Sequence, residues 1–206
     1  MIVLLLLVLA YASGAVPWGV VLGRLFSRVD LSKHGSGGTG ATNAFRVLGW
    51  RISIAVFLCD FFKGFVPVLL ARWLGINAWA VTLVGIATVV GHCWSPLIGF
   101  RGGKGMATGA GAAAGMFPFV LLVFPLMVLI VILTRYVSLA SIIGSITVSA
   151  VLIVLGILQL VSWNVIAAVV GITAIIVAQH RGNIRRLLNG TERRFGEASA
   201  SSGSTR

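Results

Sequence analysis

Gly105-Met-Ala-Thr-Gly-Ala-Gly-Ala-Ala-Ala-Gly115-Met-Phe-Pro118-Phe-Val-Leu-Leu-Val-Phe-Pro125-Leu-Met-Val-Leu-Ile-Val-Ile-Leu-Thr134 is the stretch on which the architecture turns. It carries no charge, and Arg135 follows it. About 30 helical residues measure about 45 Å, too long for a hydrocarbon core of about 30 Å. The segment also changes character. Thr108–Gly115 is almost all Gly and Ala, whereas Phe119–Leu133 is bulky and apolar, with Pro118 at the join. This predicts two short or tilted passes, a small-residue helix that packs tightly and then a lipid-facing one. A single pass would put Arg135 and the C-terminal arginines outside, against the bias that keeps Lys and Arg in the cytoplasm. Two passes return them.

The rest of the chain divides by the same logic. Residues 1–23 are uncharged, and Arg24, Arg28 and Lys33 come after them. Ala10-Tyr11-Ala12 imitates a signal-peptidase site, but a cleaved signal carries its basic residues before the apolar run. The expectation is a retained first helix with its N-terminus outside, leading into a cytoplasmic loop over 24–51. Residues 52–71 are apolar apart from Asp60 and Lys63, and a turn at Gly75-Ile-Asn77 lies outside, with Arg72 beside it. Residues 73–100 return toward Arg101 and Lys104. After the 105–134 doublet, 137–158 goes out, Gln159–Asn164 turns, and 164–179 comes back to His180 and a run of arginines ending at Arg194. The predicted fold is an all-α integral membrane protein of seven transmembrane helices, N-terminus outside and C-terminus cytoplasmic. Residues 1–197 form one membrane-embedded domain, and the Ser/Gly-rich tail 198–206 is expected to be disordered.

Composition supports this setting. Hydrophobic residues make up 58% of the 206 and charged residues 10%, far below the roughly 25% of soluble domains. The net charge of +12 would suggest nucleic acid in a soluble chain. Here the basic residues border apolar runs, so anionic lipid headgroups are the expected partner and nucleic acid is not. Cys59 and Cys93 both sit in apolar runs, which implies neither a disulfide framework nor a CxxC metal site.

Three glycine-rich basic segments interrupt the apolar background: Gly35-Ser-Gly-Gly-Thr-Gly-Ala-Thr-Asn-Ala-Phe-Arg46, Phe100-Arg-Gly-Gly-Lys-Gly-Met-Ala-Thr108 and His180-Arg-Gly-Asn-Ile-Arg-Arg186. Each couples glycines, which let the backbone approach an anion, to Arg or Lys that supply counter-charge. The seven-pass reading places all three on one face. Better-known motifs do not account for them. Gly35-x-Gly37-x-x-Gly40 imitates a dinucleotide fingerprint, with Asp60 about 20 residues on, but no strand precedes it and Asp60 lies in a span. Gly103-Lys104 lacks both the earlier glycine and the following Ser/Thr of a P-loop, since Ile98 and Gly105 stand there. No His has an Asp five residues later: those positions hold Thr39, Leu97 and Arg185.

The ordered trio resembles the bacterial acyl-phosphate-dependent glycerol-3-phosphate acyltransferase family over residues 11–192. It comprises the first segment, then Gly91-His92 with Pro96 and Phe100-Arg-Gly-Gly-Lys-Gly through Thr108, then His180, Asn183-Ile, Arg186-Leu and Gly190-Thr-Glu192. The resemblance implies a small seven-helix enzyme of the inner membrane with its site facing the cytoplasm. Its substrates would be acyl phosphate and glycerol 3-phosphate, its product lysophosphatidic acid, and it would use neither cofactor nor metal. Gly38, Arg101 and Gln179 depart from the family pattern. Both substrates carry phosphate, so Arg46 and Lys104 are the expected clamps, one a bidentate fork and the other a point charge. Backbone N–H groups of Ser36, Gly37, Gly38, Gly102 and Gly103 are expected to form anion nests. Thr42, Asn43 and Asn183 offer hydrogen bonds to hydroxyls or to the acyl carbonyl. Ser141 matches a polar site position of the family, and His180 is expected to orient Asn183, accept a proton or contact phosphate.

Two further features admit alternatives. Asp60 and Lys63 stand three apart on one helical face, either as an internal ion pair or with Lys63 at the inner end of the substrate pocket. His92 adjoins Cys93, so their side chains diverge by about 100° and form no nucleophile–base pair; a packing or hydrogen-bonding role is expected for His92. A small transporter or channel for a phosphorylated metabolite is the alternative function. Such proteins are usually built from internal repeats around a midplane site, whereas these three segments do not repeat and all fall at one surface.

Overall fold

The computed structural model describes residues 1–197, which contain helices, turns and loops and no β-strand. The tail 198–206, expected to be disordered, lies outside the described residues. Ten α-helices follow in order: α1 (Ile2–Ala15), α2 (Trp18–Ser27), α3 (Ala41–Leu48), α4 (Trp50–Trp73), α5 (Ala78–Cys93), α6 (Met106–Met116), α7 (Phe124–Thr134), α8 (Val137–Ile157), α9 (Trp163–Gln179) and α10 (Arg181–Leu188). Three helical stretches are long and apolar enough to cross a membrane, Trp50–Trp73, Ala78–Ile98 and Val137–Ile157. Counting the bent pairs α1–α2 and α9–α10 as one span each raises this to five.

The predicted break at Pro118 is present. Helix α6 ends at Met116, and a 3-10 segment, Pro118–Val123, leads into α7. The small residues of α6 serve close approach to α4. A methyl group on Gly64 would stand 2.1 Å from the Thr108 carbonyl oxygen, and one on Gly111 would stand 2.0 Å from that of Phe61. Only glycine lets these two backbones touch, as lipid-embedded helices that gain little from hydrophobic burial require. The expected single first helix, in contrast, is two. Val16 is extended (φ −63°, ψ 115°) because it precedes Pro17, and the axis bends by 41° there. Two surface helices also lie where the sequence predicted only polar loops, α3 and α10. Helix α3 seats Ala44 on Leu31 and Val56 in a small satellite core.

The main core joins Val68, Val84, Val89, Ala112, Ile172 and Ile176 from α4, α5, α6 and α9. Outside it, Leu5, Phe62, Leu70, Leu122, Leu133, Ile146 and Val154 are exposed, a lipid-facing girdle rather than a wetted surface. At one end of the bundle, Arg72 donates to the carbonyls of Gly115 and Met116 at the C-terminus of α6, and Thr82 donates to Asn164 O at 2.7 Å. The chain returns from there, and Arg135 meets the C-terminal segment at the other end, where Phe195 N–H donates to Arg135 O at 2.6 Å.

Candidate active site

The first glycine segment is organised by one buried amide. Asn43, on the first turn of α3, donates through Nδ2 to His34 O (2.9 Å), Gly38 O (2.8 Å) and Leu31 O (3.3 Å), and its Oδ1 accepts from Ser36 N–H at 2.9 Å. Asn43 therefore ties the loop to the helix, each of its two side-chain polar atoms already having a protein partner. Asp30 anchors the loop's other end, its carboxyl held at about 2 by hydrogen bonds from Ser32 and then Arg24. Three residues beyond Asn43 on the same helix, Arg46 stands half-buried with its Nε fully enclosed and without a protein partner. Burial, and then neighbouring Arg193, lower its affinity for its proton. A buried guanidinium N–H without an acceptor is costly, and an anion would satisfy it. The hydroxyls of Ser36 and Thr42 likewise have no protein partner among the described residues.

In the second segment the loop folds back on α5. Gly102 N–H donates to Cys93 O and Gly103 N–H to His92 O, each at 3.1 Å. Gly37 N–H donates to His34 O at 3.0 Å. Of the five N–H groups expected as anion nests, those of Ser36, Gly37, Gly102 and Gly103 have protein acceptors, and that of Gly38 has none among the described residues. Gly37, Gly102 and Gly103 shape their loops through these bonds. Lys104 is exposed, yet protein crowds its ammonium. That crowding, with Arg186 and Arg46 adding to it and Glu192 opposing, pushes its pKa down to about 8.

The third segment is built on Glu192, a residue that local sequence spacing does not connect to its partners. Its buried carboxylate accepts from Ser138 Oγ (2.8 Å), Arg186 Nε (2.7 Å) and Asn183 Nδ2. Burial opposes its ionisation, but these bonds outweigh that and hold the carboxyl below its ordinary range. Asn183 keeps its carbonyl oxygen free. His180 caps α9, with Nδ1 2.7 Å from Ile176 O. A carbonyl only accepts, so Nδ1 carries the hydrogen and Nε2 is the free acceptor. Burial, and then the Lys104 charge, push this imidazole down to about 4, so it is neutral near pH 7. Ser141, one turn beyond Ser138 on α8, is buried and donates to Val137 O at 2.9 Å.

These segments converge. Arg46, Lys104, Arg186 and Glu192 lie within one another's electrostatic reach, with His180 beside Lys104. Lys63 does not join them. Its ammonium lies 2.7 Å from Asp60 Oδ1 and donates to Val16 O at 2.7 Å, the arrangement of the internal-ion-pair reading. Beginning two residues after Lys104, an apolar cleft runs between α4, α6, α7, α8 and α9, lined among others by Phe57, Phe61, Met106, Ala110, Phe124 and Ile176.

Fold and site together define a helical protein embedded in the membrane, with a cationic basin at one end of the bundle beside an apolar cleft. A family profile described as glycerol-3-phosphate acyltransferase matches residues 4–190. The glycerol-3-phosphate acyltransferase of Aquifex aeolicus is 43% identical over 93% of this chain and 98% of its own length. Glycerol-3-phosphate acyltransferase 1 of Deinococcus radiodurans is 45% identical over 94% and 96%. The crystal structure of PlsY (YgiH), an integral membrane glycerol 3-phosphate acyltransferase, in its glycerol 3-phosphate form, superposes with a TM-score of 0.88 at 42% identity, covering 95% of this chain and 96% of that one. Its lysophosphatidic acid form gives 0.87 at 41%. The chain belongs to the glycerol-3-phosphate acyltransferase family.

Proposed function

We propose that this protein transfers a fatty acyl group from acyl phosphate to the 1-hydroxyl of sn-glycerol 3-phosphate, releasing lysophosphatidic acid and inorganic phosphate. The observation that carries the reading is the meeting of Arg46, Lys104 and Arg186 beside an apolar cleft whose lining includes Met106, two residues after Lys104, with Arg46 Nε buried and unpartnered. Phosphate heads sit in the basin and the acyl chain runs into the cleft. Arg46 and Lys104 clamp the phosphates, and the Ser36 and Thr42 hydroxyls add donors. The carbonyl of Asn183 and the hydroxyl of Ser141 orient the glycerol.

An acyl phosphate is a mixed anhydride with a good leaving group, so positioning and charge stabilisation suffice. The glycerol oxygen attacks the acyl carbonyl carbon, a C–O ester bond forms, and the C–O bond to phosphate breaks without an acyl-enzyme. With a pKa near 4, His180 is a weak base. Its Nε2 accepts a hydrogen bond from the attacking hydroxyl, and the proton leaves on the departing phosphate oxygen, so that hydrogen phosphate is released.

The reading includes seven crossings with the N-terminus outside and the basin facing the cytoplasm of a bacterial inner membrane. The segments around 24–51, 94–105, 135–136 and 180–197 share one end, which supports it. The test is incubation of the purified protein with acyl phosphate and glycerol 3-phosphate, followed by mass-spectrometric detection of lysophosphatidic acid. Absence of product from folded protein overturns the proposal.

A further inference from the structure

The buried trio Asp60, Lys63 and His92 takes no part in the chemistry set out above. The three side chains are 2–6% exposed within the bundle, where ionisable groups persist only when paired or functional. Lys63 alone neutralises Asp60, at 2.7 Å. His92 is additional: its Nδ1 stands 3.6 Å from the same Asp60 oxygen, which has no well-aligned hydrogen bond of its own. The other side of the imidazole faces the second glycine segment. A methyl group on Gly103 would stand 2.1 Å from His92 Nε2 and 2.7 Å from Cε1, so the loop backbone lies directly on the ring. The main chain of the same residue holds the same loop, through Gly103 N–H to His92 O, with Gly102 N–H to Cys93 O beside it. Lys104 is the next residue. Its side chain is long, flexible and exposed, so the placement of its ammonium depends on where Gly103 is held.

We propose that His92, braced from below by Asp60 and Lys63, is a positioning residue that fixes the Gly102–Gly103 backbone and so presents Lys104 to a substrate phosphate. This rests on the reading that Lys104 binds phosphate. A histidine that merely fills space requires no carboxylate behind it, and a mobile glycine loop requires no ring beneath it. Here the ion pair, the ring and the loop stand in one line from the interior of the bundle to the basin.

The test measures inorganic phosphate binding by isothermal titration, the KM for acyl phosphate and the melting temperature, on full-length protein in detergent. His92→Leu removes the polar ring that faces Asp60. It is expected to weaken phosphate binding and raise KM about tenfold or more, the cost of misplacing one charge-assisted contact, with kcat less affected. His92→Asn keeps a donor toward Asp60 and is expected to recover most of the affinity. Gly103→Ala drives the loop off the ring from the other side and should reproduce the His92→Leu phenotype even if His92→Leu does not fold. Wild-type phosphate affinity in His92→Leu or in Gly103→Ala overturns the proposal. So does a loss that follows melting temperature alone, with Asn no better than Leu. Tight phosphate binding without any turnover by the wild type would instead defeat the proposed reaction and leave the positioning role standing.

Discussion

Replacing Glu192 tests whether the third glycine segment is held by one carboxylate. Glu192→Ala leaves Ser138 and Asn183 as buried donors without an acceptor, and Arg186 without its ion pair. Bonds to a charged acceptor contribute about 1.5–3 kcal/mol each. Arg186 is 46% exposed, so its pairing adds little once water screens it. The two buried bonds then set a loss of about 3–5 kcal/mol, in line with breaking a buried ionic contact from one side. For a chain of this size that lowers the melting temperature by about 10 °C. Glu192→Gln keeps the oxygen that accepts from Ser138 and Asn183 and loses the charge, so about half the effect is expected. The pH dependence has a definite sign. The folded-state pKa lies below the ordinary 4.5, so the stabilisation is present above 4.5 and is lost as pH falls through the folded value. Asp30 contributes with the same sign near pH 2, and the wild-type-minus-Gln difference removes it. Tryptophan fluorescence melts of the detergent-solubilised protein from pH 7 to pH 3, with six tryptophans as reporters, measure this. A Glu192→Ala melt within about 2 °C of wild type would refute the reasoning.

Arg46→Ala and Lys104→Ala should each cut turnover by roughly two or more orders of magnitude while leaving the melt unchanged, since both act on charge that develops at phosphate. Because the Lys104 ammonium titrates near 8, wild-type kcat/KM should fall as pH rises through that value. Lys104→Arg should lack that limb, and an identical limb in the variant would exclude Lys104 as its source. In a cysteine-free background, cysteines at Ser32 and Asn189 should react with impermeant thiol reagents only in inverted vesicles, and one at Asn77 only in intact spheroplasts. Labelling of Ser32 and Asn189 from opposite sides would remove the seven-crossing arrangement. Cys59→Ala with Cys93→Ala should retain most activity, and exposure to acyl phosphate alone should add no acyl mass. An adduct discharged by glycerol 3-phosphate would force a ping-pong scheme.

What was legible in the sequence was whatever lipid imposes on composition. The uncharged runs, the small-residue helix against α4, the break at Pro118 and the Asp60–Lys63 pairing all follow from length, volume or i, i+3 spacing, and the structure has each of them. The bend at Val16-Pro17 was legible too, because a residue before proline avoids helical geometry, but an uninterrupted apolar run masked it. The surface helices α3 and α10 were hidden for the opposite reason. Thr, Asn and Arg interrupt the apolar residues of α3, and Arg, Gly and Asn make up most of α10, so their helicity comes from tertiary anchors, Ala44 on Val56 and Asn183 on Glu192, rather than from propensity.

The glycine N–H groups show where pattern reasoning stops. A glycine-rich basic segment reads the same whether its backbone donors face an anion or a protein carbonyl, because glycine supplies close approach in either case. Here the partners of Gly102 and Gly103 are Cys93 and His92, brought back about ten residues by the turn after α5. With Gly102 and Gly103 so engaged, the cations of the basin come on long side chains, and long side chains need a fixed base. Asn43 supplies that base beneath the first segment, Glu192 beneath the third and His92 beneath the second. The three motifs are therefore one device repeated with different chemistry: a buried polar group immobilises a glycine loop, and in the proposed reaction the loop's basic residue, or the neighbouring one, meets the phosphate.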